Sequence, residues 1–368
     1  MRSAPVPIYS LNTLKSIRDN FLNELKEASQ GKKQSLAFIK NPLPTKSLIK
    51  DREVFQVMSV GGKVFEKALV KAENGKINIL AHEKDTLPLF ESGEMFFAFF
   101  QKQLSSKVNV VCLNFAYSLE PVLRGNVLDG KLLKVSKEHR FTDLLGKKVG
   151  EELENFIFQK EKKRIKVNVA NDTICLILSA LEKVDWKSIV GGVVGAGMNF
   201  GFFWDKKTIV NLESGDFNKF EPTETGKEID RESSNPGEHL FEKEVSGAYL
   251  YQHFNILAKE LGMAQPSLSS TKELSSLAGE SESKDFSILA RELLRKSASL
   301  VACQMSGIYL FKKMPKLTFV MEGSLFWEGW DYKKTVERYL GKLGVSKGGI
   351  KFLKIKNSSI FGAARLVI

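Results

Sequence analysis

Cysteine is scarce in this chain, and long apolar runs are missing from it. The three cysteines, Cys112, Cys175 and Cys303, are far apart, and each lies in an apolar run. An odd number at such spacing favours neither a disulfide framework nor a zinc site, so we expect a reducing, cytoplasmic location. No segment approaches the ~18 apolar residues of a membrane span, and the amino-terminal residues lack the apolar core of a signal peptide. We therefore expect a protein that is neither exported nor inserted into a membrane.

Length and composition indicate a folded protein with more than one core. The chain has 368 residues, of which 43% are apolar and 27% are charged, an ordinary proportion for a soluble protein. Because single hydrophobic cores stop growing at about 250–300 residues, we expect two lobes.

The chain is strongly basic, with a net charge of +12. Such a balance is typical of nucleic-acid binding, but Lys and Arg are spread along the whole chain, and the densest run, 160–166, leads into a predicted strand. We therefore expect no nucleic-acid partner. A positive field also suits a small anionic ligand such as a nucleotide, because it raises the local concentration of that ligand. The sequence carries no signal of oligomeric state.

Apolar periodicity predicts a mixed α/β chain. A helical stripe covers 11–28, and the rest of the first half has predicted strands at 54–60, 63–72, 76–82 and 108–117, with a helix at 87–104. The second half has predicted strands at 164–172, 188–203 (a pair broken by glycines), 316–323 and 349–355, and predicted helices at 173–184, 238–262, 285–313 and 330–340. The segment 263–284 is rich in Ser, Gly and Glu, and we expect it to be a solvated surface loop.

Two polar turns follow buried strands. Asn171-Asp172 ends one strand just before a helix, where it is either an Asx helix cap or a functional pair. Gly195 and Gly197 bracket a turn between apolar strands, and Asn199 follows directly. Such glycines let backbone N–H groups approach a phosphate closely, but they also serve in simple hairpin turns. Taken alone, each turn leaves both interpretations open.

Two carboxylates stand beside apolar runs. Glu213 ends the strand run 209–212, either at the surface or facing a ligand. Glu242 follows the Asn-Pro-Gly turn at 235–237 and lies on the flank of a helical stripe, since about 100° per residue places it roughly 60° from Val245. It can therefore point along a surface rather than into the core.

In order and spacing these segments resemble the hexokinases, the family that includes glucokinase. The family carries Asn-Asp-Thr after a buried strand, then Gly-Thr-Gly-x-Asn, Asn-x-Glu-x-Gly-x-Phe, Asp-Arg, Ser-x-Asn-Pro-Gly and Phe/Tyr-Glu-Lys. The matching positions here are Asn171 to Thr173, Gly195 to Asn199, Asn211 to Phe217, Asp230-Arg231, Ser233 to Gly237 and Phe241 to Lys243. Ordered motifs within one stretch of chain form a specific signal. The resemblance extends upstream over 113–137 and, more thinly, downstream over 319–326 and 360–367.

The resemblance implies transfer of the ATP γ-phosphoryl to the 6-hydroxyl of a hexose such as glucose, the entry step of glycolysis. Asp172 matches the base that takes the hydroxyl proton, and Lys137 matches a positive charge that binds substrate and offsets developing negative charge. Carboxylates and carboxamides suit a sugar because they pair with neighbouring hydroxyls. The residues that match the family's hexose ligands are Ser118, Ser136, Lys137, Asn171, Asp172, Asn199, Glu213 and Glu242.

The other partner implied by the resemblance is ATP, with Mg²⁺ carried by the nucleotide and no metal ligand assigned on the protein. The matching nucleotide residues are Gly61, Gly62 and Lys63 in a first phosphate hairpin, Gly195, Ala196 and Gly197 in a second, and Gly323 and Ser324 in the adenosine motif.

The fold implied by the resemblance is a two-lobed α/β fold of the actin-like ATPase (ribonuclease H-like) type, with the ligands in an interlobe cleft. We expect a lead-in with a helix that packs on the large lobe (1–50), a small lobe (51–172), a large lobe (173–355) and a carboxyl-terminal segment that returns to the small lobe (356–368).

The nucleotide side departs from the family pattern. Asp and Arg of the first phosphate hairpin are replaced by Ser59 and Glu66, and Thr and Asp of the later motifs by Ala196 and Glu322. If the missing groups were worth about 4 kcal/mol in the transition state, the reaction would slow roughly a thousandfold. Lys63 is a candidate replacement as a phosphate-binding point charge. The open interpretations are a working or slow hexose kinase, a hexose-binding protein with a degraded nucleotide site, and a nucleic-acid-binding protein that only the net charge supports.

Overall fold

The chain folds into two compact units. The structure, a computed structural model, describes Val6 and residues 9–61, 64–135, 140–263, 267–280 and 284–368. Unit 1 comprises Met1–Phe38, Gly192–Phe200 and Leu212–Lys354, and unit 2 comprises Ile39–Gly191, Gly201–Asn211 and Ile355–Ile368.

The boundaries of the two units differ from those of the expected lobes. The expected small lobe, 51–172, lies in unit 2, as does the segment 356–368, whereas 173–355 is shared between the two units. The first helix of the chain belongs to unit 1.

Runs of strands and runs of helices follow one another along the described chain. The helices are α1 (Leu11–Ser29), α2 (Gly93–Gln103), α3 (Val149–Glu161), α4 (Asp172–Ser179), α5 (Glu224–Glu232), α6 (Leu240–Val245), α7 (Leu250–Glu260), α8 (Thr271–Gly279), α9 (Lys284–Lys312), α10 (Ser324–Glu328), α11 (Tyr332–Lys342) and α12 (Ser358–Ala364). The strands are β1 (Ile39–Pro42), β2 (Val54–Gly61), β3 (Val64–Glu73), β4 (Lys76–Thr86), β5 (Val110–Phe115), β6 (Leu119–Arg124), β7 (Val127–Leu132), β8 (Lys166–Ala170), β9 (Ile189–Val194), β10 (Met198–Asp205), β11 (Thr208–Asn211), β12 (Leu317–Glu322) and β13 (Ile350–Leu353).

Unit 2 is built on a five-stranded sheet in the order β4-β3-β2-β5-β8. The pairs β2–β3 and β3–β4 are antiparallel, while β2–β5 and β5–β8 are parallel. Large apolar side chains from these strands, including Met58, Leu113 and Val167, form one core with aromatic side chains of α2. Because Val60 pairs with Phe115 and Asn114 with Ala170, the carboxyl ends of β2, β5 and β8 meet at one edge.

The last helix, α12, packs against α4 within unit 2. A Cβ on Gly362 would lie 1.7 Å from the carbonyl oxygen of Cys175, so only glycine permits this approach. The small residues near the carboxyl terminus therefore serve helix packing.

Unit 1 surrounds the long helix α9, which packs against α1, α7, α8 and α11. Every residue from 296 to 308 is buried. The amino-terminal helix approaches α9 closely, because a Cβ on Gly307 would lie 2.7 Å from the ring of Phe21. In the same unit β12 pairs in parallel with β13. Strands β9 and β10 run from one unit into the other, and the turn that joins them belongs to unit 1.

Most predicted elements are present, with their ends shifted by a few residues. The helix predicted over 11–28 is α1, the strand over 54–60 is β2, and the helix over 285–313 is α9. Helix α3 and the short elements β1, β6, β7, α5 and α10 were not predicted. In the described ranges, no helix combines the length and the apolar character that crossing a membrane requires.

The prediction of a loop over 263–284 is wrong, because this segment contains α8. Ser270 caps the helix by accepting the N–H of Glu273 at 3.3 Å. Leu274, Leu277 and Ala278 are buried at helical spacing. A short apolar stripe was obscured by the polar residues around it.

Candidate functional site

Asn199 and Glu213 are joined through a turn in unit 1. The Oδ1 atom of Asn199, near the start of β10, accepts the N–H of Phe200 at 2.8 Å and that of Ser214 at 3.1 Å. Glu213 adopts a left-handed backbone conformation (φ 46°, ψ 52°), and its carbonyl accepts the N–H of Asp216 at 3.0 Å. The amide of Asn199 thus holds the turn that carries Glu213 after β11.

Glu242 lies in the first turn of α6 and is fixed by backbone. Its Oε2 atom accepts the N–H of Met198 at 2.8 Å. A Cβ on Gly197 would lie 2.9 Å from that oxygen, and one on Gly215 would lie 3.1 Å from the Cβ of Glu242. These two glycines therefore make room for one carboxylate, and the structure brings the segments that carry Asn199, Glu213 and Glu242 together.

The predicted nucleotide residues of unit 1 lie where three backbone segments meet. Gly247 donates its N–H to the carbonyl of Gly195 at 2.7 Å, and Ala248 donates to Ala196 at 3.1 Å. Gly323 has φ +112°, and a Cβ there would lie 2.1 Å from the carbonyl of Val194. No side chain fits between these segments. Ala196 and Ser324, the first residue of α10, are exposed.

In unit 2, Asn171 is the amino-terminal cap of α4, so the Asx-cap interpretation holds for it. Its Oδ1 atom accepts the N–H of Thr173 at 3.0 Å, and its Nδ2 donates to the carbonyl of Tyr117 at 3.1 Å. Asp172, the first residue of the helix, is partly exposed, and its Oδ1 also accepts the N–H of Thr173, at 2.7 Å. Ser118 directly follows Tyr117, and the structure therefore brings Ser118, Asn171 and Asp172 together.

Four predicted site residues lie outside the described residues. They are Gly62, Lys63, Ser136 and Lys137. Gly61 is described, at the end of β2, where it pairs with Val64 of β3 as the hairpin prediction requires.

The two substituted positions of the phosphate hairpin have partners within unit 2. Ser59 is 7% exposed, and its Oγ accepts the Nδ2 of Asn114 at 2.8 Å. Glu66, its neighbour on β3, lies 2.9 Å from the ammonium of Lys84 and accepts the hydroxyl of Ser359 at 3.1 Å. Although burial acts to raise the pKa of Glu66, Lys84 and Ser359 hold that pKa below its ordinary value.

These residues do not fit a magnesium ion held by the protein. Mg²⁺ is bound in proteins chiefly through carboxylates. The hairpin offers the hydroxyl of Ser59, which is bound by the amide of Asn114 on β5, and the carboxylate of Glu66 in the hairpin is already paired with Lys84. Among the residues that the structure describes, no three His, Cys, Asp or Glu side chains are grouped to hold a metal.

A buried lysine was missed in the sequence. The Nζ atom of Lys243, next to Glu242, lies 2.5 Å from Asp230 and donates to the Oγ of Ser233 and the carbonyl of Asn235, each at 2.9 Å. This lysine ties the Asn-Pro-Gly turn to α6. The sequence signal that could have revealed it is that Asp230, Ser233, Asn235 and Lys243 all lie in the segments that match the family motifs.

Known proteins resemble this chain in sequence. A family model described as Hexokinase matches residues 189–261 and 254–368. Hexokinase-7 of Oryza sativa subsp. japonica is 30% identical over 226 residues, which cover 53% of this chain and 47% of that protein. Hexokinase-like 1 protein of Arabidopsis thaliana is 26% identical over 281 residues, which cover 67% of this chain and 56% of that protein. The chain spans about half the length of these curated relatives.

Solved structures share the fold. A hexokinase from Schistosoma mansoni complexed with glucose superposes with a TM-score of 0.79 at 18% identity, covering 98% of this chain and 95% of that one. A ROK family glucokinase from Streptomyces griseus in complex with glucose and AMPPNP gives a TM-score of 0.55 at 16% identity, covering 85% and 99%. At such identities the likeness shows the fold, which is the two-lobed α/β fold of the actin-like kinases. By these matches in sequence and fold, the chain belongs to the hexokinase family.

Proposed function

We propose that this protein is an ATP-dependent hexose kinase, which transfers a phosphoryl group to the 6-hydroxyl of a sugar such as glucose. The observation that carries the proposal is the fixed carboxylate of Glu242, bound to the N–H of Met198 and flanked by Gly197 and Gly215. A carboxylate held in this way is ready to accept hydrogen bonds from sugar hydroxyls without reorganising, which reduces the entropic cost of binding.

The remaining acceptor residues take their roles from the family motifs. Asp172 is the proposed base, because it is a partly exposed carboxylate at the start of α4. Asn199 and Glu213 are proposed hexose ligands, together with Ser118, Ser136, Lys137 and Asn171. We place the reaction in the cytoplasm, on the cysteine evidence, and at the entry to glycolysis.

The phosphate hairpin supports a second candidate function, a hexose-binding protein that transfers phosphoryl groups poorly. The observation that favours it is the pairing of Ser59 with Asn114 and of Glu66 with Lys84, since neither pair offers a carboxylate that is free of a cationic partner. A donor nucleotide would therefore bring its Mg²⁺ without a carboxylate ligand from these two pairs.

A coupled assay for hexose 6-phosphate and titration calorimetry with glucose, with and without Mg-ATP, separate these functions. For a kinase we expect turnover with glucose and Mg-ATP, lowered about a thousandfold in Asp172→Ala, within the range for loss of a general base. Glucose should still release heat on binding that variant. Asp185→Ala is the matched control, because Asp185 caps a short helical turn of unit 2 through the N–H of Lys187.

Each outcome selects one function. Turnover that survives Asp172→Ala would remove the proposed base. Heat released on glucose binding, without formation of hexose 6-phosphate, would select the binding protein. No glucose heat at all would contradict both functions.

A further inference from the structure

A lysine and a glutamate of unit 1 form an ion pair inside the core. Lys296 lies in the middle of α9 and is 3% exposed, and Glu244 of α6 is 0% exposed. Their Nζ and Oε2 atoms are 2.5 Å apart. Removing both charges from water costs several kcal/mol for each ion, so a pair of this kind persists only with good geometry and further hydrogen bonds.

Those further hydrogen bonds are present around Glu244. Its Oε1 atom accepts the N–H of Thr223 at 2.6 Å and the hydroxyl of the same residue at 2.8 Å. Burial acts to raise the pKa of Glu244, but the charge of Lys296 and the hydrogen bonds from Lys296 and Thr223 hold that pKa below its ordinary value. The carboxylate is therefore charged and fully engaged.

His253 binds the backbone of the residue that precedes Glu244 in α6. Burial and the charge of Lys296 lower the pKa of His253 to about 4, so its ring is neutral near pH 7. Its Nε2 lies 2.9 Å from the carbonyl of Lys243, which can only accept, so Nε2 carries the proton. Its Nδ1 then accepts the hydroxyl of Thr225 at 2.6 Å.

Helix α9 also contacts the segment that carries Glu213. The Nε2 of Gln304 donates to the carbonyl of Ser214 at 2.9 Å, and the hydroxyl of Ser297 donates to the carbonyl of Val245 at 2.6 Å. One buried helix thus contacts, through polar side chains, the segments of unit 1 that carry Glu213 and Glu242.

Helix α6 needs such support. It has six residues, fewer than two turns, and a helix of that length is not stable alone. Its three successive charged residues bind three other elements: Glu242 binds Met198 of β10, Lys243 binds Asp230 of α5, and Glu244 binds Thr223, the cap of α5, and Lys296 of α9. The rotation of α6 about its axis, and with it the place of Glu242, is set by these three connections.

We propose that Lys296, through Glu244, is a positioning residue that holds the Glu242 carboxylate against the N–H of Met198 and so determines hexose affinity. The proposal rests on the proposed function for its ligand, but the placement of Glu242 can be measured without sugar.

The test is the charge-free double variant Glu244→Gln with Lys296→Met. It keeps side-chain volume and an acceptor for Thr223, and buried ion pairs can often be replaced by neutral groups without loss of the fold. We expect a thermal unfolding midpoint near that of the wild type, a dissociation constant for glucose raised about tenfold, equal to about 1.4 kcal/mol, and no change in the KM for ATP. We also expect faster hydrogen exchange at the Met198 amide.

Ser306→Ala is the matched control, because Ser306 lies in the same buried stretch of α9 but donates to Leu343, at the end of α11. It should change neither glucose affinity nor exchange at Met198. If the double variant does not fold, Thr223→Val, which leaves both charges in place, should give the same changes at about a third of the size.

The proposal is overturned if a folded double variant, or Thr223→Val in its place, retains wild-type exchange at Met198. Equal losses of glucose and ATP binding would also overturn it, since they indicate a general structural defect. A wild-type protein that releases no heat with glucose contradicts the proposed function instead, while the exchange measurement still decides the role of Lys296.

Discussion

The carboxylates of unit 1 match the family motifs, whereas the phosphate hairpin of unit 2 departs from them. Glu242 is held by the N–H of Met198, and Gly197 and Gly215 leave room for it. At the hairpin, Ser59 and Glu66 have taken on partners of their own, Asn114 and Lys84. Around Glu242, the residues that match a motif contact one another. At the phosphate hairpin, the substituted residues form hydrogen bonds and an ion pair among themselves and their neighbours.

Glu242→Gln should have the largest effect on glucose binding, because it removes the charge from the region that matches the family motifs. A hydrogen bond to a charged group is worth about 1.5–3 kcal/mol, so we expect the glucose dissociation constant to rise about a hundredfold by calorimetry. Glu232→Gln, at the exposed end of α5, is the control. An unchanged affinity for glucose would remove Glu242 from the hexose ligands.

The pH dependence of stability probes the support behind α6. His253 has a pKa of about 4 when folded and 6.5 when unfolded, so the unfolded state binds the extra proton and stability falls as the pH falls through this window. Between pH 7 and pH 5 we expect a loss of about 2 kcal/mol in the free energy of unfolding from this group. Urea titrations should show a smaller loss in His253→Gln. His82→Gln, at a partly exposed position in unit 2, is the control, and equal slopes in all three proteins would contradict the prediction.

Gly197→Ala should weaken glucose binding without removing any functional group. The new Cβ would lie 2.9 Å from the Oε2 of Glu242, closer than such contacts occur, so the carboxylate must move. We expect the dissociation constant to rise about tenfold. Gly341→Ala in α11 adds its Cβ where nothing lies within 4 Å, and it should leave glucose binding unchanged while gaining up to about 1 kcal/mol of stability. Equal glucose affinity in both variants would show that the fit around Glu242 is loose.

Ser59→Asp tests the other region, the phosphate hairpin, through its effect on Mg-ATP binding. It places a carboxylate beside the amide of Asn114, in the position where the family carries one. Because Mg²⁺ prefers carboxylate ligands, we expect Mg-ATP to bind about threefold more tightly by calorimetry. Ser106→Asp, at an exposed position of the same unit, is the control. Unchanged Mg-ATP binding in Ser59→Asp would indicate that the hairpin takes no part in donor binding.

Much of this molecule could be predicted from its pattern of residues. The strand that ends at Ala170, the cap at Asn171 and the carboxylate at Asp172 were all visible, because a buried strand and a helix start each have a local signature. Helix α8 was missed, because its apolar stripe of Leu274, Leu277 and Ala278 is too short to stand out among polar neighbours. The partners of buried charges were missed for a different reason. They lie far apart along the chain, so no local pattern connects them.

By itself, the sequence determined the family and most of the succession of helices and strands, and it predicted functional roles for particular carboxylates and glycines, since motif order and periodicity are properties of neighbouring residues. Only the tertiary structure decided that Gly197 and Gly215 serve Glu242, that Glu66 belongs to Lys84, and that Glu244 meets Lys296 from 52 residues away. The reason is physical: a buried charge is stabilised by whichever group the folded chain brings within hydrogen-bond distance, and local periodicity does not encode that choice.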